Sequence, residues 1–143
     1  MDRYLTCCGL YCGACSSILL REKEESNPEL SSFTCEYDES PCGGCGAGTR
    51  QTCEITACCR EHQVSTCAFC PEFPCQRIND FSVDEWPHHQ EVLDNLHRMK
   101  VIGVEAWLLE QKQKWVCPEC GTRTHWYGCK CHMCGASWEP KYR

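Results

Sequence analysis

The sequence predicts a small, irregular α+β fold in three parts: a cysteine-rich lobe over residues 1–80, two short packed helices over 81–114, and a ribbon over 115–143. The chain has 18 cysteines among 143 residues, a density at which cross-links or metal ions replace much of a hydrophobic core. Aliphatic residues are sparse in the lobe between residues 42 and 75, and clear helical periodicity begins only after residue 81.

Metal ions, rather than disulfides, are expected to stabilise this fold. No apolar leader precedes Cys7, and no apolar run approaches the ~20 residues of a membrane helix, so we expect a cytoplasmic protein that does not enter a membrane. Closely spaced cysteines stay reduced in the cytoplasm and are typical metal ligands there. A disulfide-bonded, exported protein is the alternative, and it needs an export route that the sequence does not show.

The lobe begins with Cys8-Gly-Leu-Tyr-Cys12-Gly-Ala-Cys15, in which glycines follow two cysteines and allow the tight turns of metal knuckles. Radical S-adenosylmethionine enzymes use the same cysteine spacing for an iron–sulfur cluster. Their barrel needs alternating strands and helices, a pattern that is absent here. A short helix is predicted from Ser16 to Ser26, ended by Asn27-Pro28.

The segment from Cys42 to Cys75 contains two Cys-x-x-Cys pairs and most of the lobe's remaining cysteines. Residues 43–44 and 46–48 are glycine-rich and predict tight loops. Residues 54–63 predict one or two helical turns. Pro71 and Pro74 predict an extended or turning backbone as far as Cys75.

Two helices are predicted in the middle of the chain. Ser82 and Glu85 match a capping box, so the first helix is predicted to begin at Ser82, or at Asp84 if Pro87 lies in the first turn. Gly103 is predicted to end it, and a second helix with Trp107 on its apolar side follows. These helices are expected to pack on the cysteine-rich lobe.

The last part contains Cys117-Pro-Glu-Cys120-Gly and Cys131-His-Met-Cys134-Gly, two knuckles separated by ten residues. This pattern is typical of a zinc ribbon. Rubredoxin binds iron with similar knuckles, but its two pairs lie much farther apart.

Taken in order, these motifs resemble a bacterial and archaeal family described as domain of unknown function 3795. The resemblance rests on the Cys8–Cys15 motif, Cys42-Gly-Gly-Cys45, Cys53-x4-Cys58, Cys67-x-x-Cys-Pro-Glu-Phe-Pro-Cys75, Ile102-Gly-Val-Glu-Ala-Trp107, Lys114-Trp115 and the ribbon. It implies a prokaryotic, cytoplasmic, metal-binding protein and no particular reaction. Four cysteines fall outside the family pattern and are interpreted as free thiols: Cys7, Cys35, Cys59 and Cys129.

The remaining cysteines are the predicted metal ligands: Cys8, Cys12, Cys15, Cys42, Cys45, Cys53, Cys58, Cys67, Cys70, Cys75, Cys117, Cys120, Cys131 and Cys134. One zinc in the ribbon and two in the lobe leave a surplus of two lobe cysteines. An iron–sulfur cluster in the lobe is the alternative.

Distant segments are expected to share the lobe metal sites, for example with the cysteines of residues 42–58 closing one site among themselves. Histidines are interpreted as non-ligands, with His125 in the ribbon left open.

The predicted function is that of a structural zinc protein that contacts another protein. The ribbon aromatics are either the contact surface or the cover of the ribbon core: Trp115, Trp126, Tyr127, Trp138 and Tyr142. A thiol redox or iron–sulfur protein is the second hypothesis, and nucleic-acid binding through the ribbon is the third. The formal charge of −6 disfavours the third. No catalytic constellation stands out, so enzymatic activity is left open, with a leaning against it.

Overall fold

A computed structural model describes residues 2–35, 41–45 and 53–143. Its α-helices are α1 (Ser16–Glu24), α2 (Glu54–Glu61), α3 (Gln76–Ser82), α4 (Val92–Ile102) and α5 (Val104–Lys114). Short 3-10 helices span Cys12–Ala14, Pro28–Leu30, Cys67–Phe69 and Pro87–Glu91. The tight loop predicted at residues 46–48 lies outside the described residues. None of the described helices combines the length and the apolar character needed to cross a membrane.

The described part of the chain is mostly helical. Its β structure there consists of two isolated antiparallel bridges, Val116 with Arg123 and Lys130 with Ser137. Each bridge closes one knuckle of the ribbon. The α+β class predicted from the sequence is therefore not confirmed.

The predicted helices at α1 and α2 are confirmed to within a few residues, but the predicted start at Ser82 is wrong. Ser82 ends α3, and its hydroxyl donates to the carbonyl of Asn79 at 2.7 Å. The carboxylate of Asp84 then accepts a hydrogen bond from the Trp86 amide at 2.9 Å, which favours a turn over a helix start. The chain passes through the Pro87–Glu91 turn, and α4 begins only at Val92.

Gly103 separates α4 from α5, as the sequence predicts. Its φ of 86° lies in the left-handed region, and its amide donates to the Met99 carbonyl at 2.9 Å. The break lets the two helices fold against each other, and Trp107 of α5 becomes fully buried. The ring of Tyr11 packs edge-on against Trp107, with centroids 6.2 Å apart, so the helices share one core with the N-terminal segment.

The N-terminal segment approaches α4 closely at Gly9. A Cβ atom added there would lie 2.7 Å from Leu96 Cγ, and the φ of Gly9 is 91°, so only glycine fits without strain. The side-chain amide of Asn95 donates to the Gly9 carbonyl at 2.9 Å. This contact holds the first cysteine motif against the helices.

The ribbon packs on the same body. The Trp126 amide donates to the Ala14 carbonyl at 3.0 Å, and the guanidinium of Arg123 pairs with Glu22 on α1. On the opposite side, the indole of Trp126 stacks on His88 with ring centroids 4.1 Å apart. The ribbon is therefore fixed to both α1 and the Pro87–Glu91 turn.

Candidate metal centres

The four ribbon cysteines bring their sulfurs together. The Sγ atoms of Cys117, Cys120, Cys131 and Cys134 all lie within 4.8 Å of one another. The Cys117–Cys134 pair is 3.7 Å apart and the Cys120–Cys131 pair 3.5 Å. Four thiolates at about 2.3 Å from a tetrahedral zinc lie about 3.8 Å from each other, so the group fits one such ion.

Local backbone geometry produces this arrangement. Gly121 and Gly135, which follow the two knuckles, have φ values of 76° and 79°. The amides of Glu119 and Met133 point at the sulfurs of Cys117 and Cys131, each at 3.4 Å. Amides directed at a sulfur stabilise its thiolate form, which is the form that binds metal.

The side chain of Thr122 supports the same site. Its hydroxyl lies 3.1 Å from the Cys120 sulfur and, together with its backbone, lowers the pKa of that thiol to about 6. A larger thiolate fraction near neutral pH favours metal binding, because less free energy is needed to remove the proton.

The first group of lobe cysteines, here called the N-terminal thiol cluster, consists of Cys8, Cys12, Cys15 and Cys45. A hydrogen bond between the Cys12 and Cys45 thiols, together with burial, raises the pKa of Cys12 well above its usual value. Burial also raises the pKa of Cys8 to about 12, and the neighbouring thiols of Cys45 and Cys53 add to this shift. Buried thiols that disfavour one another's charge are the groups that a cation would stabilise.

The segment of residues 41–45 reaches this cluster by packing along α1. The Cys42 amide donates to the Ser17 carbonyl at 3.1 Å, and Arg3 donates to the Gly43 carbonyl at 3.0 Å. The Gly44 amide points at the Cys42 sulfur at 3.4 Å, the same contact that the ribbon knuckles make.

The second group, here called the α2 thiol cluster, consists of Cys58, Cys67, Cys70 and Cys75. Partial burial raises the pKa of Cys58, and the charges of Cys67, Cys70 and Cys75 act in the same direction. All four line one cavity of about 30 Å³ together with Cys59 and Phe73. Among the described residues, only the ribbon has four cysteines within the 4.8 Å spacing, so the α2 sulfurs surround a space rather than close on a point.

Two cysteines interpreted as free thiols adjoin this cluster. The Cys59 sulfur lies 3.6 Å from that of Cys67, and it also hydrogen-bonds Cys7. These contacts raise the pKa of Cys59 and lower those of Cys67 and Cys7, the latter to about 6. The other two stand apart, since Cys35 packs near Leu30 and Cys129 is exposed.

Each thiol cluster of the lobe contains cysteines from separate segments, and Cys45 and Cys58, which were suggested to share one site, lie in different clusters. Cys45 joins the N-terminal motif, whereas Cys58 faces the loop of Cys67–Cys75. The reason is that Cys58 lies within α2 and lines the cavity that Cys67, Cys70 and Cys75 also line.

A histidine that sequence reasoning set aside lies beside the α2 thiol cluster. Ligand atoms of His62, Cys70 and Glu72 fall within 4.8 Å of one another, and His62 Nδ1 is 3.6 Å from the Cys58 sulfur. The available signal was the spacing of Cys58 and His62, four residues apart and therefore on one face of a helix. His125, by contrast, packs edge-on against Phe33 at 5.8 Å.

The ribbon aromatics are largely used inside the protein. Trp115 and Trp126 are both 6% exposed. Tyr127 hydrogen-bonds His88, and the Tyr142 hydroxyl donates to Glu91 at 2.8 Å. The second interpretation, that these side chains cover a core, agrees better with the buried positions of the two tryptophans.

The fold and these groups define a cysteine-rich, mostly helical protein with candidate metal-binding sites. Residues 4–80 match the family described as Protein of unknown function (DUF3795), which is more than half of the chain. The chain belongs to that family. Residues 102–107 and the ribbon, which also entered the sequence resemblance, lie beyond the matched range. No curated protein and no solved structure matches the chain.

Proposed function

We propose that the protein is a structural zinc-binding module, with one zinc in the ribbon and two metal sites in the cysteine-rich lobe. The observation that carries this proposal is the closure of four ribbon sulfurs within 4.8 Å, the donor set of a structural zinc site. Structural zinc contributes about 10 kcal/mol or more to folding per site, enough to stabilise a lobe with few aliphatic residues.

The two thiol clusters of the lobe support further metal ions. Each brings cysteines from separate segments into one buried or half-buried space, and the charges of those thiols disfavour one another. A divalent cation removes this repulsion and links the segments. We assign the N-terminal thiol cluster to one ion and the α2 thiol cluster to another.

One observation favours iron–sulfur chemistry as a second candidate at the α2 thiol cluster. Its sulfurs surround a cavity, whereas the ribbon sulfurs close on one point. Clusters of iron and sulfide are also held by four cysteine thiolates, and they occupy more space than one ion.

The biochemical role follows from the class of site. Four-thiolate zinc sites are closed to substrates, so we propose that the protein acts by contacting another protein in the cytoplasm. A formal charge of −6, made more negative by each four-thiolate site, disfavours a nucleic-acid partner. The identity of the metal, the number of sites, the location and the partner are parts of this proposal.

Elemental analysis of protein purified with and without air tests the proposal. We expect zinc and a colourless protein, whereas iron, sulfide and a brown colour would support the second candidate.

Replacing Cys120→Ser should remove one equivalent of zinc and expose residues 115–143 to protease. Cys129→Ser is the matched control, because Cys129 is exposed in the same ribbon but lies outside the group of four. Equal zinc content in the Cys120→Ser protein would contradict the ribbon site.

A further inference from the structure

Three chemically different metal donors meet at the end of α2. His62 caps the C-terminus of that helix, and Cys70 and Glu72 follow the Cys67–Phe69 turn. An imidazole nitrogen, a thiol sulfur and a carboxylate oxygen from these residues lie within 4.8 Å of one another. His62 and Glu72 also form an ion pair, and the Cys70 sulfur, which belongs to the α2 thiol cluster, is the third donor.

The imidazole of His62 is oriented by the backbone. Its Nδ1 lies 2.9 Å from the Cys58 carbonyl, one helical turn earlier, and donates a hydrogen bond to it. Its Nε2 faces the carboxylate of Glu72 and donates to it when the ring is protonated, so a metal ion bound at Nε2 would take the place of that proton. Metal-binding histidines commonly donate their other ring N–H to a carbonyl in this way.

The three donors are open to solvent on one side. The side chain of Glu72 is 67% exposed and that of His62 is 30% exposed, so solvent can reach a fourth position beside them. Three protein ligands with an accessible fourth position are typical of zinc sites that exchange ligands, in contrast to closed four-thiolate sites. A mixed nitrogen, sulfur and oxygen donor set favours zinc or cobalt over magnesium or calcium.

We propose that His62, Cys70 and Glu72 bind an exchangeable zinc-class divalent cation at the rim of the α2 thiol cluster, with the fourth position held by water. The inference rests on the proposed function, because Cys70 is also assigned to that cluster. It adds two ligands, His62 and Glu72, that the cysteine pattern does not contain. The metal here is expected to exchange faster than the metal of the ribbon.

The test uses the full-length protein loaded with zinc and mixed with a chromophoric chelator. Wild type should release one equivalent in a fast phase, and His62→Gln and Glu72→Gln should each lose that phase or weaken the affinity on the order of tenfold or more. Glu61→Gln and His97→Gln are the matched controls, since both residues are exposed and lie outside the group. Loading with Co²⁺ gives a second readout, a loss of thiolate-to-cobalt absorption in the two test variants.

The outcomes separate this inference from the proposed function. If His62→Gln and Glu72→Gln match wild type in stoichiometry and release, the contact is an ion pair only and the inference is overturned. If wild type contains a single, slowly released equivalent that depends on Cys120, the lobe binds no metal, and the lobe part of the proposed function fails as well. A fast phase lost equally in the Glu61→Gln control would also overturn the assignment.

Discussion

The ribbon and the cysteine-rich lobe use the same ligand type but assemble it over very different lengths of chain. The ribbon closes its four sulfurs with residues 117–134, and each knuckle is shaped by its own glycine and its own amides. The lobe combines Cys12 with Cys45, and Cys58 with Cys75, through contacts that also involve α1, α2 and the central helices.

This difference shows which part of a metal site a short cysteine motif can determine by itself. A knuckle positions two sulfurs through a few backbone torsions. The four sulfurs of the ribbon therefore come together as soon as its two knuckles meet. Each proposed lobe site needs the ordering of a longer loop, whose entropic cost grows with its length. We therefore expect lobe metal and lobe folding to depend on each other, while the ribbon retains its metal more independently.

The largest expected effect comes from Cys12→Ser. This change removes a buried thiol from the N-terminal thiol cluster and should cost its metal, worth about 10 kcal/mol of folding free energy per site. We expect one equivalent of metal to be lost and residues 2–80 to become sensitive to protease. Elemental analysis and limited proteolysis measure both effects.

Cys35→Ser is the control for this experiment, because Cys35 packs with Leu30 and Phe33, outside either thiol cluster. It should retain the metal and the protease resistance of wild type. A Cys12→Ser protein with full metal content would show that the N-terminal cysteines do not hold an ion.

A smaller effect is expected from Arg123→Ala, which tests the connection between the two regions. The Arg123 guanidinium pairs with Glu22, whose side chain is 9% exposed, and donates to the Gly13 carbonyl at 3.2 Å. Its removal leaves the buried carboxylate with the Tyr4 hydroxyl and the Arg3 guanidinium at 3.7 Å as its remaining partners. We therefore expect a loss near the lower end of the range for breaking a buried ion pair, about 3 kcal/mol. Denaturant unfolding at saturating zinc measures the loss.

The ribbon and the lobe should both keep their proposed metal ions in Arg123→Ala, because no candidate ligand is changed. Arg143→Ala is the matched control, since its pair with Glu139 is exposed and should contribute little. An unchanged unfolding free energy in Arg123→Ala would mean that the ribbon is attached chiefly through Trp126 and the Pro87–Glu91 turn.

The smallest effect concerns pH and the contact of Trp126 with His88. Burial, with a further contribution from His89, lowers the pKa of His88 to about 4, and Asp84 opposes the shift. The unfolded chain takes up this proton near pH 6.5, and the folded protein does so only near pH 4. The stabilisation is therefore complete above pH 6.5 and is lost as pH falls towards 4, by up to about 3 kcal/mol.

The comparison of wild type with His88→Phe at pH 7, 6 and 5 checks this prediction. Wild type should lose more stability than the variant over that range. Thiol protonation also weakens metal binding there, but it affects both proteins and cancels in the difference. Parallel pH profiles would show that His88 is protonated equally easily in the folded and unfolded states.

Several elements were predictable because their signals are local. The apolar and charged run after Cys15 predicted α1, and Gly103 predicted the break between α4 and α5. The capping box at Ser82 was misleading, because the Asp84 side chain forms a turn with Trp86 instead. The position of His62 beside Cys70 and Glu72 was not predictable, because these two residues lie on a different segment from its helix.

The sequence by itself determined the family, the abundance of thiol ligands and the two knuckles of the ribbon, since each depends on residue types at short spacing. Only the tertiary structure decided which lobe cysteines meet, that Cys59 contacts Cys7, and that Trp115 and Trp126 face inward. The physical reason is that these contacts join segments tens of residues apart. Such contacts form only when burial of Trp107, Leu96 and their neighbours offsets the entropy of closing the chain.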